Sequence, residues 1–246
     1  GGAPFTGAPA LAAQAALAAG ADLAYVLAPA PVATSIDQMS PDLIVRSADG
    51  DRFDPAHTEM ALELAAGMSA VVIGPGIGAA PATREFVTAM LEALDGVVVV
   101  DADALGMVPA VASAAELICT PHQGEFASMG AAPSSEWRAR RAEVTARAEE
   151  WGVTLLVKGA IDLISDGTQT RVNTSGNPAM TVGGTGDVLA GITGAVAAVL
   201  DPVTAAAGAS YLNGCAGDRP VGSVGVGLTA TRLIEAVAPT LRGVGP

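Results

Sequence analysis

Short aliphatic and β-branched runs alternate along the chain with longer alanine-rich stretches whose apolar positions recur every three to four residues. The runs predict strands at 24–27, 43–45, 70–73, 97–100, 116–119 and 154–157. Two further runs, 161–165 and 169–173, read as a hairpin around Asp166-Gly167 with a type I′ turn. Helices are predicted at 9–19, 57–66, 81–94, 134–150, 185–200, 203–214 and 226–237. The uninterrupted run Val97–Val100 implies a strand covered on both faces. Ser134-Ser135-Glu136 ahead of a charged amphipathic run reads as the capped start of a surface helix. Strands alternating with helices make a mostly parallel α/β sheet, and neither repeats nor linkers divide residues 1–246, so a single domain is expected. The opening segment reads as a loop running into a helix with no strand before it. An N-terminal strand, and room for an upstream domain, is therefore expected ahead of residue 1.

Composition narrows the classes. Twelve Lys plus Arg against 25 Asp plus Glu give a formal charge of −13, which disfavours nucleic acid and anionic membrane surfaces as partners. Apolar residues make up 50% of the chain, but 52 of them are alanine and aromatics are only 3%. The longest apolar candidate, 188–200, is too short and too interrupted to cross a bilayer. Cys119 and Cys215 lack metal-ligand spacing and read as a buried pair of reduced thiols, in keeping with the cytoplasm. Eleven of the 12 cations are Arg, and Lys158 is the one lysine. An acidic, lysine-poor, alanine-rich chain suggests adaptation to a salt-rich cytoplasm, with high-GC base composition as the alternative.

The segment with most chemical content is Asn177–Asp187, in which Gly183-Gly184-Thr185-Gly186-Asp187 precedes an apolar helix. Its glycines let a ligand approach the backbone, and the helix N-terminus adds unpaired N–H groups and a positive dipole end, together an anion site. An acid in that first turn serves as a helix-dipole partner, or as a general base beside a phosphate.

This segment resembles that of the ribokinase-like superfamily, and specifically of the ADP- or ATP-dependent NAD(P)H-hydrate dehydratases. The resemblance covers nearly the whole chain through six ordered motifs: Gly7-Ala8-Pro9, Gly74-Pro75-Gly76-Ile77-Gly78, Asp101-Ala102-Asp103-Ala104-Leu105, Thr120 to Phe126, Lys158-Gly159, and the glycine turn. It implies a three-layer α/β/α sandwich without a separate lid domain. It also implies Asp187 as catalytic base and a substrate site at Ala8, Gly76, Gly78, His122 and Asp187. The nucleotide would lie along Lys158, Gly159, Ala160, Ile161 and Asp162 and on Gly183, Gly184, Thr185 and Gly186. Glu125 occupies the place of an acid that holds Mg2+ through water. ADP or ATP would be the co-substrate, and hydrated NADH or NADPH the substrate. A homo-oligomer, and an epimerase either fused or separate, complete the expectation.

The same residues have plainer readings. Gly74–Gly78 is a strand–helix turn at the carboxyl edge of the sheet, where glycine serves packing as well as ligands. Asp103 is placed to cap the helix that follows it, whereas Asp101, after four valines, is expected to turn into the site. His122 and Glu125 have the spacing of a capped helix start. The family pattern has Thr where this chain has Asp162. If Asp162 faces the nucleotide, restoring Thr is expected to tighten binding; if it points outward, nothing changes. The alternative activity is that of a small-alcohol kinase of the same superfamily, acting on a vitamin precursor or sugar.

Overall fold

The structure is a computed structural model that describes residues 6–132, 134–224 and 227–244. In chain order its elements are α1 (Gly7–Ala18), β1 (Ala24–Pro29), α2 (Ala30–Asp37), β2 (Leu43–Ala48), α3 (Thr58–Ala65), β3 (Val71–Ile73), α4 (Pro81–Ala93) and β4 (Val97–Val100). There follow β5 (Glu116–Cys119), α5 (Gln123–Ser128), α6 (Trp137–Trp151), β6 (Thr154–Val157), β7 (Asp162–Ser165), β8 (Thr170–Asn173), α7 (Thr185–Ala197), α8 (Pro202–Val224) and α9 (Ala230–Val244). Short 3-10 segments occupy Pro55–His57, Ala102–Ala110 and Pro178–Met180.

Six strands form one sheet in the order β3-β4-β5-β6-β7-β8. The first four pair parallel, and β7 and β8 add two antiparallel strands at the edge. Strand alternation then sorts the interior into two layers. Val98, Val100, Leu155, Val157 and Leu163 pack with residues of α3, α4, α5 and α6. Val99, Ile118, Leu156 and Ile164 pack with α1, α7, α8 and α9 on the opposite face. The expected sandwich is present, with a central sheet covered on both sides.

Several local expectations change. β1 and β2 pair parallel as a separate two-stranded sheet rather than joining the other six. The β7–β8 hairpin exists, but four residues connect its strands, and Gly167 (φ +91°) is the residue of that loop with positive φ, so the turn is not type I′. Asp166 closes the loop by accepting from the backbone N–H groups of Thr168 and Gln169, each at 2.8 Å. Burial pushes its carboxyl up, but these bonds, together with those from the Thr168 and Gln169 side chains, outweigh it and bring the group down to about 2. α6 starts at Trp137 and is capped by Glu136, whose Oε2 accepts from Ala139 N at 2.9 Å, not by Ser134. Cys119 is buried but Cys215 only half so, and both are free thiols. α2 and the 3-10 segment Pro178–Met180 are unexpected, and the helix expected after Asp103 is a 3-10 run that already begins at Ala102. The predicted start of the last helix, Val226, and the first five residues of the opening loop lie outside the described residues. Among the described residues no helix is long and apolar enough to cross a membrane.

Candidate active site

The carboxyl ends of β4, β5 and β6 converge on the first turn of α7. Gly184 precedes that helix at φ +92°, and Asp187 is its third residue. The position of α7 is set by a close backbone contact, since a β-carbon at Gly191 would lie 1.9 Å from the carbonyl oxygen of Ala12 in α1. Gly184 itself is pressed by Leu11 and Ala230, each 2.9 Å from a β-carbon built there. α1 begins at Gly7, so Ala8 lies in its first turn and not in a loop, three residues before Leu11. The Thr185 hydroxyl donates to the carbonyls of Met180 and Val182, both at 2.9 Å, so it fastens the turn from within. Gly183 has open space where a side chain would be.

Lys158 continues the register of β6 past its end, with its N–H donating to Pro121 O at 2.8 Å beside His122. Its Nζ lies 3.0 Å from Asp101 Oδ1 and 3.8 Å from Glu125 Oε2. It also lies 3.3 Å from where a β-carbon of Gly186 would be, so the ammonium reaches the glycine turn. Asp101 is buried and accepts a second bond from Thr120 Oγ1 at 2.7 Å. Asp187 is half-buried at this cluster. Its carboxyl is pushed up to about 6 by desolvation first and by the charge of Asp101 second; Lys158 opposes both, and Glu125 adds a small upward push. A carboxyl group so raised is ionised at neutral pH and still basic enough to accept a proton.

His122 and Glu125 form the capped start of α5. His122 Nδ1 accepts from the N–H groups of Gly124 (3.0 Å) and Glu125 (3.1 Å), while Glu125 Oε2 accepts from His122 N at 2.7 Å. This reciprocal cap leaves His122 Nε2 3.5 Å from Glu125 Oε1. Asp103 does not cap the helix expected after it. Its Oδ2 accepts from Gly78 N at 3.1 Å and ties the Gly74–Gly78 turn to the end of β4. Between the two acids, Ala102 has φ +50°, the one non-glycine positive φ among the described residues. Gly74 (φ +126°) has no room for a side chain, since a β-carbon would lie 1.8 Å from Asp101 O. Gly76 and Gly78 also take positive φ.

Asp162 neither points outward nor offers a free charge to a nucleotide. Its Oδ1 accepts from Gly159 N at 2.9 Å, and its Oδ2 from Ser210 Oγ at 2.7 Å and Asn173 Nδ2 at 3.3 Å. The departure from Thr is thus a carboxylate that fastens the Lys158–Ile161 turn to α8 and β8. From the other side Arg140 Nη2 donates to Ile161 O at 3.4 Å, and Ala160 lies in the bend between these two anchors. Sequence reasoning placed neither Arg140 nor Ser210 here. Arg140 is buried on a helix that reads as a surface helix, and only the fold brings it to this turn.

A model of the family described as NAD(P)H-hydrate dehydratase matches residues 1–239. The chain belongs to the NAD(P)H-hydrate dehydratase family. It is 42% identical over 245 residues to the bifunctional NAD(P)H-hydrate repair enzyme Nnr of Pyrobaculum aerophilum, covering 97% of this chain and 48% of that protein. It is 36% identical over 244 residues to the ADP-dependent (S)-NAD(P)H-hydrate dehydratase of Cenarchaeum symbiosum, covering 97% of this chain and 85% of the relative. The chain spans about half the length of the bifunctional relatives it matches. Its fold is similar to that of the ADP/ATP-dependent NAD(P)H-hydrate dehydratase of Bacillus subtilis co-crystallised with ATP/Mg2+, at a TM-score of 0.82 and 25% identity over 99% of this chain and 87% of that one. The ribokinase-like architecture expected from the motifs is the one observed.

Proposed function

We propose that this member of the family dehydrates the S form of hydrated NADH or NADPH back to the normal reduced cofactor, at the expense of ADP or ATP. The observation that carries the reading is Asp187, a carboxylate with a raised pKa set in the first turn of α7 beside the glycine turn and the Lys158 ammonium. The names of the relatives agree with it.

Hydroxide is a poor leaving group and phosphate a good one, so the reaction first converts one into the other. Asp187 takes the proton of the ring hydroxyl as its oxygen attacks the terminal phosphoryl group of the nucleotide. The backbone N–H groups of the 183–186 turn and the α7 dipole stabilise the charge that develops on the transferring group. Lys158, already beside Gly186, adds its positive charge there. Phosphate then departs with the C–O bonding electrons as the ring nitrogen donates its lone pair, and loss of a ring proton restores the dihydropyridine. The net products are reduced cofactor, inorganic phosphate and the shortened nucleotide.

Glu125, whose carboxylate lies 3.8 Å from Lys158 Nζ, is the residue that would hold Mg2+ through water. Among the described residues no three His, Cys, Asp or Glu side chains come together to hold a metal. Glu125 is already engaged by His122 N, which suits contact through water. When bound, the ion would supply charge neutralisation for the phosphoryl transfer.

The proposal includes a cytoplasmic setting, in keeping with two free thiols, and a companion epimerase, fused or separate, in keeping with the bifunctional relatives. It also includes tolerance of high salt, supported by the charge of −13. Product analysis tests the activity. Mass spectrometry should find unphosphorylated NADH and one inorganic phosphate per turnover, whereas a stable phosphorylated organic product would identify a kinase.

A further inference from the structure

Arg140 is a buried charge that the reaction described above leaves unused. It is the fourth residue of α6 and is 5% exposed. Its guanidinium makes two long bonds, from Nη1 to Ser134 O and from Nη2 to Ile161 O, both at 3.4 Å. Among the described residues its buried Nε has no acceptor and no carboxylate pairs with it. Glu136 does not fill that place. Its carboxyl is lowered first by the N–H groups of Ala139 and Arg138, and only last by the charge of Arg140. A buried cation without a counter-charge costs the fold stability, and proteins keep such costs where function requires them.

The guanidinium lies directly behind the Lys158–Ile161 turn. A β-carbon on Gly159 would be 3.2 Å from Gln123 Nε2 and 3.7 Å from Arg140 Nη2, so these two side chains back the turn. Arg140 holds Ile161 O from this side, while Asp162 holds Gly159 N from the other. The charge balance of the site explains what a cation adds there. Lys158 is shared between Asp101 at 3.0 Å and Glu125 at 3.8 Å, and Asp162 and Asp187 contribute two further carboxyl groups. One ammonium among four acids is a poor receptor for a polyphosphate. The geometry points to Arg140 as a positioning residue for the nucleotide, which fixes the Gly159–Ile161 turn through Ile161 O and supplies a buried positive charge whose counter-ion is the bound polyphosphate. This inference rests on the proposed reaction only in taking ADP or ATP as the ligand.

The test separates the charge from the shape. Arg140→Gln keeps an N–H donor but removes the charge, and Arg140→Lys keeps the charge without the planar fork. Affinity for ADP is read by titration calorimetry, and affinity for uncharged adenosine by its competition against ADP. Arg140→Gln should bind ADP roughly tenfold more weakly and adenosine within about twofold of the parent. Arg140→Lys should return ADP affinity to within about threefold of the parent. Without nucleotide, the Gln variant should melt at or above the parental midpoint, because it no longer buries an unpaired charge. Equal losses for ADP and adenosine, or no recovery in the Lys variant, would overturn the proposal. So would a Gln variant that melts well below the parent or does not fold, since the guanidinium would then serve the fold alone. Unchanged ADP affinity in the Gln variant would overturn this inference and leave the proposed reaction standing, whereas a parent chain that binds no ADP would overturn both.

Discussion

Lys158 Nζ lies 3.0 Å from Asp101 Oδ1, so the one lysine of the chain neutralises a buried carboxylate at the end of the neighbouring-but-one strand. The pair fixes the ammonium beside Gly186 and gives Asp101 the partner its burial demands. Removing Lys158 alone strands a buried charge. Lys158→Met should destabilise the protein by about 3 kcal/mol, and adding Asp101→Asn should recover at least half of that. Chemical denaturation of the two variants measures it, and an equal loss in both would show that the pair carries no coupling.

Asp187→Asn should gain stability as it loses activity. The folded-state carboxyl is raised from 3.8 to about 6, so the ionised form is disfavoured by folding. Its contribution is fully present below pH 4 and is lost as pH rises through about 6. Solvent reaches the group, so the penalty at pH 7 is on the order of 1–2 kcal/mol, less than the full shift implies. The thermal midpoint of the Asn variant should exceed the parent's by roughly 2–8 °C at pH 7.5 and match it at pH 3.5. An unchanged midpoint at pH 7.5 would contradict the buried-charge account.

The same group sets the acid limb of catalysis. The base must be ionised, so kcat/KM should fall tenfold per pH unit below about 6 and be level above it. A limb near pH 4 would mean that Asp187 is unperturbed in the working enzyme.

Asp162→Thr should weaken nucleotide binding, the reverse of what the family pattern suggests. Thr cannot replace the acceptor for Gly159 N, Ser210 Oγ and Asn173 Nδ2 together. Loss of the bond to Gly159 alone should lower ADP affinity by roughly fivefold, for about 1 kcal/mol. Titration calorimetry reads this directly, and tighter binding would show that the carboxylate opposes the nucleotide.

Salt should stabilise the chain. Repulsion within a charge of −13 is screened as the Debye length falls from about 10 Å at 0.1 M to about 3 Å at 1 M. A thermal midpoint unchanged between these concentrations would leave base composition as the source of the acidic, arginine-rich chain.

The strands β3 to β6 were legible because each is an aliphatic or β-branched run whose alternation matches two covered faces, as Val98 and Val99 illustrate. α2 was not legible, because Ala30-Pro31 offers no side-chain cap and the segment is only eight residues long. The glycine turn, Asp187 and Lys158 stood out locally, yet their mutual geometry did not. Asp101 and Lys158 are 57 positions apart and meet only because β4, β5 and β6 share one sheet edge. Asp162 was conspicuous as a departure, but its partner Ser210 sits 48 residues downstream on α8, beyond any local pattern. His122 and Glu125 follow the opposite rule, since a cap is a three-residue relationship and can be read directly.

The central claim is most directly tested by the initial rate at which dihydronicotinamide absorbance returns when the protein is mixed with S-hydrated NADH, Mg2+ and ADP or ATP at pH 7.5. The account predicts nucleotide-dependent recovery by the parent chain and a rate about 10²–10⁴-fold lower for Asp187→Asn. Recovery at the parental rate in that variant, or no nucleotide dependence in the parent, would contradict it.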